Sequence, residues 1–473
     1  MSAEDALRAA GQDRLADALA RLDGADRATL EAEVAELDLP LVARLVRDLV
    51  GGEAPAVHGE IGPPEPDALI ALPRTDADRE RLARARAAGE ALLREGRVAA
   101  VLLAGGQGSR LGFDGPKGLY PHAPITGSVL FATHAAKIAA LRARHDAGLP
   151  WYVLTSPQND AATRAAFEDA GWYGVEPGSV RFVVQGTLPA VDEDTGDILR
   201  DAPGRIALSP DGHGGLLSAL RVSGALDEMS AAGVSTIFTF QIDNPLLPVA
   251  EPGFLGYHAL AGADMSSMVV RKLGPAEKMG VIGLVDGRTA VVEYSDLPDE
   301  LAEQRDPEGE LVYWAGSIAV HCIEVDFARR LTDGGLRLPF HRALKKVPYV
   351  DDAGDRVEPD APNAVKFETF LFDALPFADR TVTVEAARED VFSPIKNAEG
   401  ADSPETARRD LNRRNARWLE AAGVTVPRGG DGEPVDVEID PRFALDAEEL
   451  AEVLPLGFRV EGPTVLSLPA ASL

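Results

Sequence analysis

The chain has 473 residues, 45% of them hydrophobic, and carries a formal net charge of −29 at pH 7. That length allows more than one ordinary domain and a large core, while so acidic a balance argues against a nucleic acid or an anionic membrane as partner. A single cysteine, Cys322, excludes an internal disulfide framework and a cysteine-cluster metal site, and no apolar run is long enough to span a bilayer. With no basic-then-apolar leader at the start, the expectation is a cytoplasmic protein.

Residues 1–96 read as an N-terminal helical region rich in Ala, Leu, Arg and Glu, with helices at 13–22 and 77–95 and a Pro/Gly-rich connecting loop at 51–73. From Val98 the pattern alternates. Strands are expected at 98–103, 151–154, 180–184, 236–241 and 265–270, and helices at 129–144, 160–170, 216–232 and 252–261. Such alternation predicts an α/β fold, a Rossmann-like and mostly parallel central sheet with flanking helices, whose ligands sit beyond the carboxyl ends of the strands. Beyond Val281 the strands shorten (281–285, 290–294, 311–320), which suggests an antiparallel patch. A helix is expected at 364–375, a strand at 381–385 and a helix at 404–422. The tail, with short apolar runs at 435–439 and 464–468, reads as a small C-terminal β appendage. The expected divisions are therefore 1–96, 97–424 and 425–473.

The stretch from Val98 to Gly118, VAAVLLAGGQGSRLGFDGPKG, is the focus of the chain. A buried strand runs into glycines that let the backbone approach a ligand, and Arg110 and Lys117 in one short loop call for a counter-charge such as a phosphate chain. A Walker loop fails because Gly108-Ser109-Arg110 stands where Gly-Lys-Ser/Thr is required. The dinucleotide fingerprint fails because Leu111 replaces the third glycine and no acid lies between Gly115 and His145. Lysine is scarce here, with eight in the chain, at 117, 137, 272, 278, 345, 346, 366 and 396. Where arginine is so strongly preferred, each retained lysine raises a functional question, because a compact ammonium is not replaceable by a guanidinium at a crowded site.

LLAGGQGSRLG…PKG resembles the signature of the eukaryotic-type UTP:sugar-1-phosphate uridylyltransferases, and within them the UDP-N-acetylglucosamine pyrophosphorylase branch. The resemblance continues in order. Gln185-Gly186-Thr187-Leu188-Pro189-Ala190 is similar to a QGxLPA segment, Ser209–Gly215 to an APDGNGG loop, and Ile242-Asp243-Asn244 to a VDN element. Val292–Ser295 and Trp314–Ile318 resemble VEYSE and NAGNI segments, and Lys366, Phe370, Phe372 and Phe392–Ala398 complete it. The resemblance covers roughly residues 98–422. It implies a nucleotidyltransferase of GT-A-like fold, joining UTP to a hexose 1-phosphate with Mg²⁺ or Mn²⁺ as cofactor.

By that resemblance Arg110 and Lys117 hold the triphosphate and offset charge on the departing pyrophosphate, while Leu103, Ala104, Gly105, Gly106 and Gly108 meet the nucleotide. Asp243 is the implied metal ligand, since Mg²⁺ takes one or two carboxylates and completes its shell with phosphate oxygens and water. Gln185 and Gly212 fall to the uracil, and Lys396 and Lys366 to the phosphate of the sugar 1-phosphate. The sugar side is Glu293, Gly280, Phe372 and Asn244, which supports the turn or the sugar, together with His213 and Ser317. These last two depart from the branch pattern, which has Asn at both positions, so the resemblance leaves N-acetylglucosamine, glucose and other hexose 1-phosphates open. Two rivals make distinct demands. A glycosyltransferase would use Asp192-Glu193-Asp194 as a metal motif, although a solvated hairpin tip explains that sequence as well. An inactive nucleotide-binding regulator would be expected to lack Arg110 and Lys117.

Overall fold

The computed structural model describes residues 1–50 and 59–468, which gather into two compact units that the chain visits alternately. The larger comprises Gly59–Val184, Leu220–Asp333 and Leu375–Leu473, and the smaller Met1–His58, Gln185–Ala219 and Gly334–Ala374. Of the connecting loop expected at 51–73, residues 51–58 lie outside the described residues, as do 469–473 of the C-terminal appendage.

The larger unit is built on the strand Val98–Leu103, buried at every position as an all-apolar run in a covered sheet must be. It pairs in parallel with Trp151–Thr155 on one side and Thr236–Gln241 on the other, and Val180–Val184 adds in parallel beyond Trp151–Thr155. The chain thus leaves Val98–Leu103 in one direction and returns on its opposite side, so the strand order reverses there. Ala315–Glu324 runs antiparallel between Thr236–Gln241 and Met265–Arg271, and Thr381–Glu385 and Leu69–Ile70 continue in parallel. The antiparallel patch expected after Val281 is the hairpin Val281–Val285/Arg288–Val292, joined to the same eleven-stranded sheet at Gly316. Leu92, Leu93, Phe131, Ile138, Phe167, Phe254 and Leu255 bring the flanking helices Asp76–Arg94, Leu130–His145, Asp160–Asp169 and Pro252–Ala261 into one core with the strands.

The smaller unit collects the N-terminal helices Ala3–Ala9, Asp13–Arg21, Gly24–Glu36 and Leu39–Leu49. Their Leu7, Leu19, Leu30 and Leu45 share a core with Val191, Ile206, Val365 and Phe367 from much later in the chain.

Three expectations need correction. The helix expected at 364–375 is a strand, Ala364–Glu368, followed by a 3-10 segment, Leu371–Phe377. Val365 and Phe367 alternate into the core while the strand pairs with His341–Lys345 and Val191–Asp192, so long-range pairing overrides a weak helical pattern. The helix expected at 216–232 is two, Gly215–Val222 and Ala225–Ala231, broken at Gly224 with φ 78°. The C-terminal appendage pairs Val437–Ile439 with Thr464–Leu466 but also carries a helix, Ala447–Val453, started by Asp446, whose side chain accepts from the Glu449 N–H.

Candidate functional site

In an open parallel sheet a crevice forms where neighbouring strands send their chains to opposite sides, beyond their carboxyl ends. Here that point lies between Val98–Leu103 and Thr236–Gln241, and the glycine loop and the Asp243 turn emerge from these two strands side by side. Leu103 and Ala104 are buried at the strand end. The loop then folds on itself, with the Gly108 N–H donating to Gly115 O (2.9 Å) and the Lys117 N–H to Gly106 O (3.1 Å). The backbone N–H groups of Gly105, Gly106 and Gln107 take no partner among the described residues, which leaves a row of donors for an anion. Arg110 sits exposed in the short turn Ser109–Leu111 and makes no ion pair among the described residues. Lys117 instead reaches Asp243, Nζ to Oδ2 at 2.9 Å, with both side chains more than four-fifths covered.

The turn after Thr236–Gln241 is tied to the 391–396 segment. Asp243 O accepts from the Ile395 N–H (2.8 Å), while the Asn244 amide donates to Val391 O (2.8 Å) and accepts from the Ser393 N–H (3.2 Å). Asn244 is buried and braces the turn through one N–H and the carbonyl oxygen of its amide. Lys396, just beyond, is half exposed, 3.7 Å from Asp402 and over the Phe392 ring.

On the hairpin side, a Cβ at Gly280 would lie 2.8 Å from Val291 and 2.9 Å from Glu293 Oε1, so only glycine allows the backbone to pass this close to the carboxylate. Gly280 O accepts from the Ser317 N–H (2.8 Å), and the Gly280 N–H has no partner among the described residues. The Ser317 hydroxyl accepts from the Ala319 N–H (3.4 Å), beside the register shift where this strand bulges against Met268 and Val269.

The smaller unit holds Gln185, Gly212, His213, Lys366 and Phe372. The Gln185 amide donates to Gly212 O (2.5 Å) and to Asp211 Oδ1 (3.0 Å), which leaves its carbonyl oxygen as the unengaged end among the described residues. Gly212 has φ 85°, and a Cβ there would fall 2.3 Å from Thr369 O. Burial lifts the Asp211 carboxyl to about 6, against the pull of the Gln185 hydrogen bond. Burial also lowers His213 to about 4, with His341 adding to the effect. His213 Nδ1 accepts from the Leu371 N–H (3.1 Å), which puts the ring proton on Nε2, and its ring stacks on Phe370 at 5.3 Å. Phe372 is buried in the same aromatic cluster. Lys366 lies half-buried mid-strand, and burial lowers its pKa.

The DxD-like Asp192-Glu193-Asp194 is a hairpin tip. Asp192 Oδ1 accepts from the Asp194 and Thr195 N–H groups and so closes the turn. Among the described residues no cluster of three or more His, Cys, Asp or Glu is placed to hold a metal. A single carboxylate, that of Asp243 beside the loop of free N–H donors, still suits Mg²⁺, whose remaining ligands are phosphate oxygens and water.

One positioning residue escaped the sequence reading. Buried Asn159 donates to Ala104 O (2.8 Å) and Gly106 O (3.3 Å) and accepts from the Ser156 N–H (2.8 Å), so it braces the glycine loop. It stands at a helix N-cap but makes no capping bond with its side chain. An Asn there looks like an ordinary helix start, so nothing in the sequence separates the two roles.

These features define the class, a nucleotidyltransferase of mostly parallel α/β fold with a glycine loop at the strand-order reversal. A family model described as UTP–glucose-1-phosphate uridylyltransferase matches residues 61–403, and the chain belongs to that family, a uridylyltransferase that forms UDP-sugars. It is 35% identical to the human UDP-N-acetylhexosamine pyrophosphorylase-like protein 1 over 97% of this chain and 96% of that one. It is 33% identical to UDP-N-acetylglucosamine diphosphorylase 2 of Arabidopsis thaliana, over 97% of this chain and 92% of that one. Among solved structures, the uridine diphosphate N-acetylglucosamine pyrophosphorylase of Trypanosoma brucei in complex with inhibitor matches with a TM-score of 0.80 at 28% identity, covering 96% of this chain and 95% of that one. Among the described residues no helix is long and apolar enough to cross a membrane.

Proposed function

We propose that this uridylyltransferase joins UTP to N-acetylglucosamine 1-phosphate in the cytoplasm, releasing pyrophosphate. The observation that carries the reading is the loop at the strand-order reversal, which holds Arg110, Lys117 and a row of N–H groups without partners among the described residues. A phosphate oxygen of the sugar 1-phosphate forms the new bond to the α-phosphorus as the bond to the β-phosphate bridging oxygen breaks. That oxygen is already ionised near neutral pH, so the reaction needs no general base. It needs in-line positioning and positive charge on the leaving group.

Arg110 and Lys117 supply that charge. Gly105, Gly106 and Gly108, at the end of Leu103 and Ala104, bring the backbone against the nucleotide. Gln185, its N–H bonds already given to Gly212 and Asp211, turns its carbonyl oxygen to the uracil N3–H. Lys396 and Lys366 bind the sugar phosphate, Glu293 accepts from sugar hydroxyls, and the Gly280 N–H, its carbonyl being taken by Ser317, donates to the acetamide oxygen. A magnesium ion held by Asp243 and the phosphates would neutralise charge on the triphosphate. The choice of N-acetylglucosamine rests on the names of the relatives and on Gly280. His213 acts through its hold on Leu371, and so does not argue for glucose.

Measuring pyrophosphate release from UTP with a panel of sugar 1-phosphates tests the whole reading. N-acetylglucosamine 1-phosphate should give the highest kcat/KM. A higher value for glucose 1-phosphate would reassign the sugar, and UTP binding without pyrophosphate release for any sugar would leave a catalytically silent regulator.

A further inference from the structure

Behind the Asp243 turn, buried side chains from two helices take up the backbone carbonyls one after another. His134 Nε2 meets Ile242 O (3.2 Å), Lys137 Nζ donates to Pro245 O (2.6 Å) and Leu247 O (2.8 Å), and Arg414 Nη1 donates to Leu246 O (2.9 Å). With the Ile395 N–H on Asp243 O, carbonyls on both sides of Asp243 are clamped from below. Lys137 and Arg414 are both buried and neither makes an ion pair among the described residues. Burying such groups is costly unless well-placed hydrogen bonds satisfy them, and here the turn's carbonyls supply such bonds. A single unbranched lysine on Leu130–His145 that spans two carbonyls of one turn fixes the path of that turn more tightly than apolar packing can, because hydrogen bonds are directional.

We propose that Lys137 is a positioning residue for Asp243. By pinning Pro245 and Leu247 it sets the angle at which the Asp243 carboxylate faces the glycine loop, and with it the affinity of the enzyme for the metal–nucleotide complex. The inference rests on the reading of Asp243 as the metal contact. It also explains why lysine persists at 137 in an arginine-rich chain: the branched, planar guanidinium does not present its donors from a single point to two carbonyls of the same turn.

A cavity of about 240 Å³ lies against Lys137, lined also by His122, Thr133 and Arg414. It makes a chemical test possible. The experiment measures Mn²⁺ affinity in the presence of UTP by electron paramagnetic resonance, for Lys137→Ala, Lys137→Met and Asp243→Ala, alongside kcat and the KM of each substrate. In Lys137→Ala and Lys137→Met the metal affinity should fall about tenfold or more, as it does when outer residues that orient a ligand are lost, while the KM for the sugar 1-phosphate stays unchanged. Ethylammonium, entering the enlarged cavity, should restore affinity to Lys137→Ala and not to Lys137→Met, which fills the space. Should the alanine variant not fold, the methionine variant, which keeps the stem volume, decides alone. Wild-type Mn²⁺ affinity in a folded Lys137→Met protein would overturn the inference if Asp243→Ala is impaired. If Asp243→Ala also binds Mn²⁺ normally, it is the metal reading of Asp243 that fails.

Discussion

Asp211 and His213 stand two residues apart in one loop, and burial moves them in opposite senses. Asp211 is raised to about 6 in the folded chain, so the native state holds its proton over a window in which the unfolded chain has lost it. Its contribution to stability is present in acid and disappears as pH rises through about 6. His213 is lowered to about 4, so the native state stays neutral where the unfolded chain is protonated. Its contribution is present above its unfolded value near 6.5 and is lost as pH falls toward 4. Each shift is worth on the order of 2–3 kcal/mol, and between about pH 4 and 6 the two oppose each other in the wild type. Single substitutions should separate them. Relative to wild type, Asp211→Asn should lose melting temperature as pH is lowered from 7 to about 4.5, whereas His213→Asn should gain. The His213→Asn protein also keeps an oxygen acceptor for the Leu371 N–H, so its stability at pH 7.5 should stay within about 1 kcal/mol, while His213→Ala, which orphans that buried donor, should cost about 1–3 kcal/mol. Parallel pH–melting curves for all three proteins would contradict this account.

The glycine loop shows at the scale of an element why the fold was legible in part. Val98–Leu103, Val180–Val184, Thr236–Gln241 and Thr381–Glu385 fall where they were expected, because short apolar or β-branched runs bounded by Gly, Pro or polar residues have few alternatives. Ala364–Glu368 was misread because its alternation is only five residues long and its pairing partners lie far away in sequence. The glycines, Arg110 and Lys117 stand out in the loop's own sequence, and Asp243 is singled out by the family resemblance. What Asn159 does could not be read there, because an amide's partners are set by tertiary contacts. Asn159 therefore yields a prediction that belongs to the loop as a unit. Replacing it with Ala removes two bonds to the carbonyls of Ala104 and Gly106 and loosens the N–H groups of Gly105, Gly106 and Gln107, which have no partner among the described residues. At about 1 kcal/mol for each lost bond, KM for UTP should rise about tenfold or more with KM for the sugar 1-phosphate unchanged. Equal rises in both constants would show that Asn159 supports the fold at large rather than the loop.

For the molecule as a whole the governing quantity is charge, with 76 acidic residues against 47 Lys and Arg. The described ion pairs are mostly exposed Arg–carboxylate contacts such as Arg8–Asp17, Arg79–Asp76 and Arg356–Glu358. Exposed pairs of this kind contribute about 0–1 kcal/mol each, and many contribute nothing measurable. Even with every cation matched to an acid, a large excess of carboxylates remains, and each repels several others by roughly 0.3 kcal/mol at 12 Å in water. Repulsion therefore outweighs attraction, and salt, which screens both, should stabilise the protein. The melting midpoint should climb by a few degrees between about 0.05 and 1 M NaCl. On the proposed role of Arg110 and Lys117, the glycine loop should respond with the opposite sign, because screening weakens the attraction of two cations for a polyanion. KM for UTP should rise over the same range while the fold gains stability. A melting midpoint that falls with salt would mean that the arginine pairs, not the excess carboxylates, dominate the electrostatics of the fold.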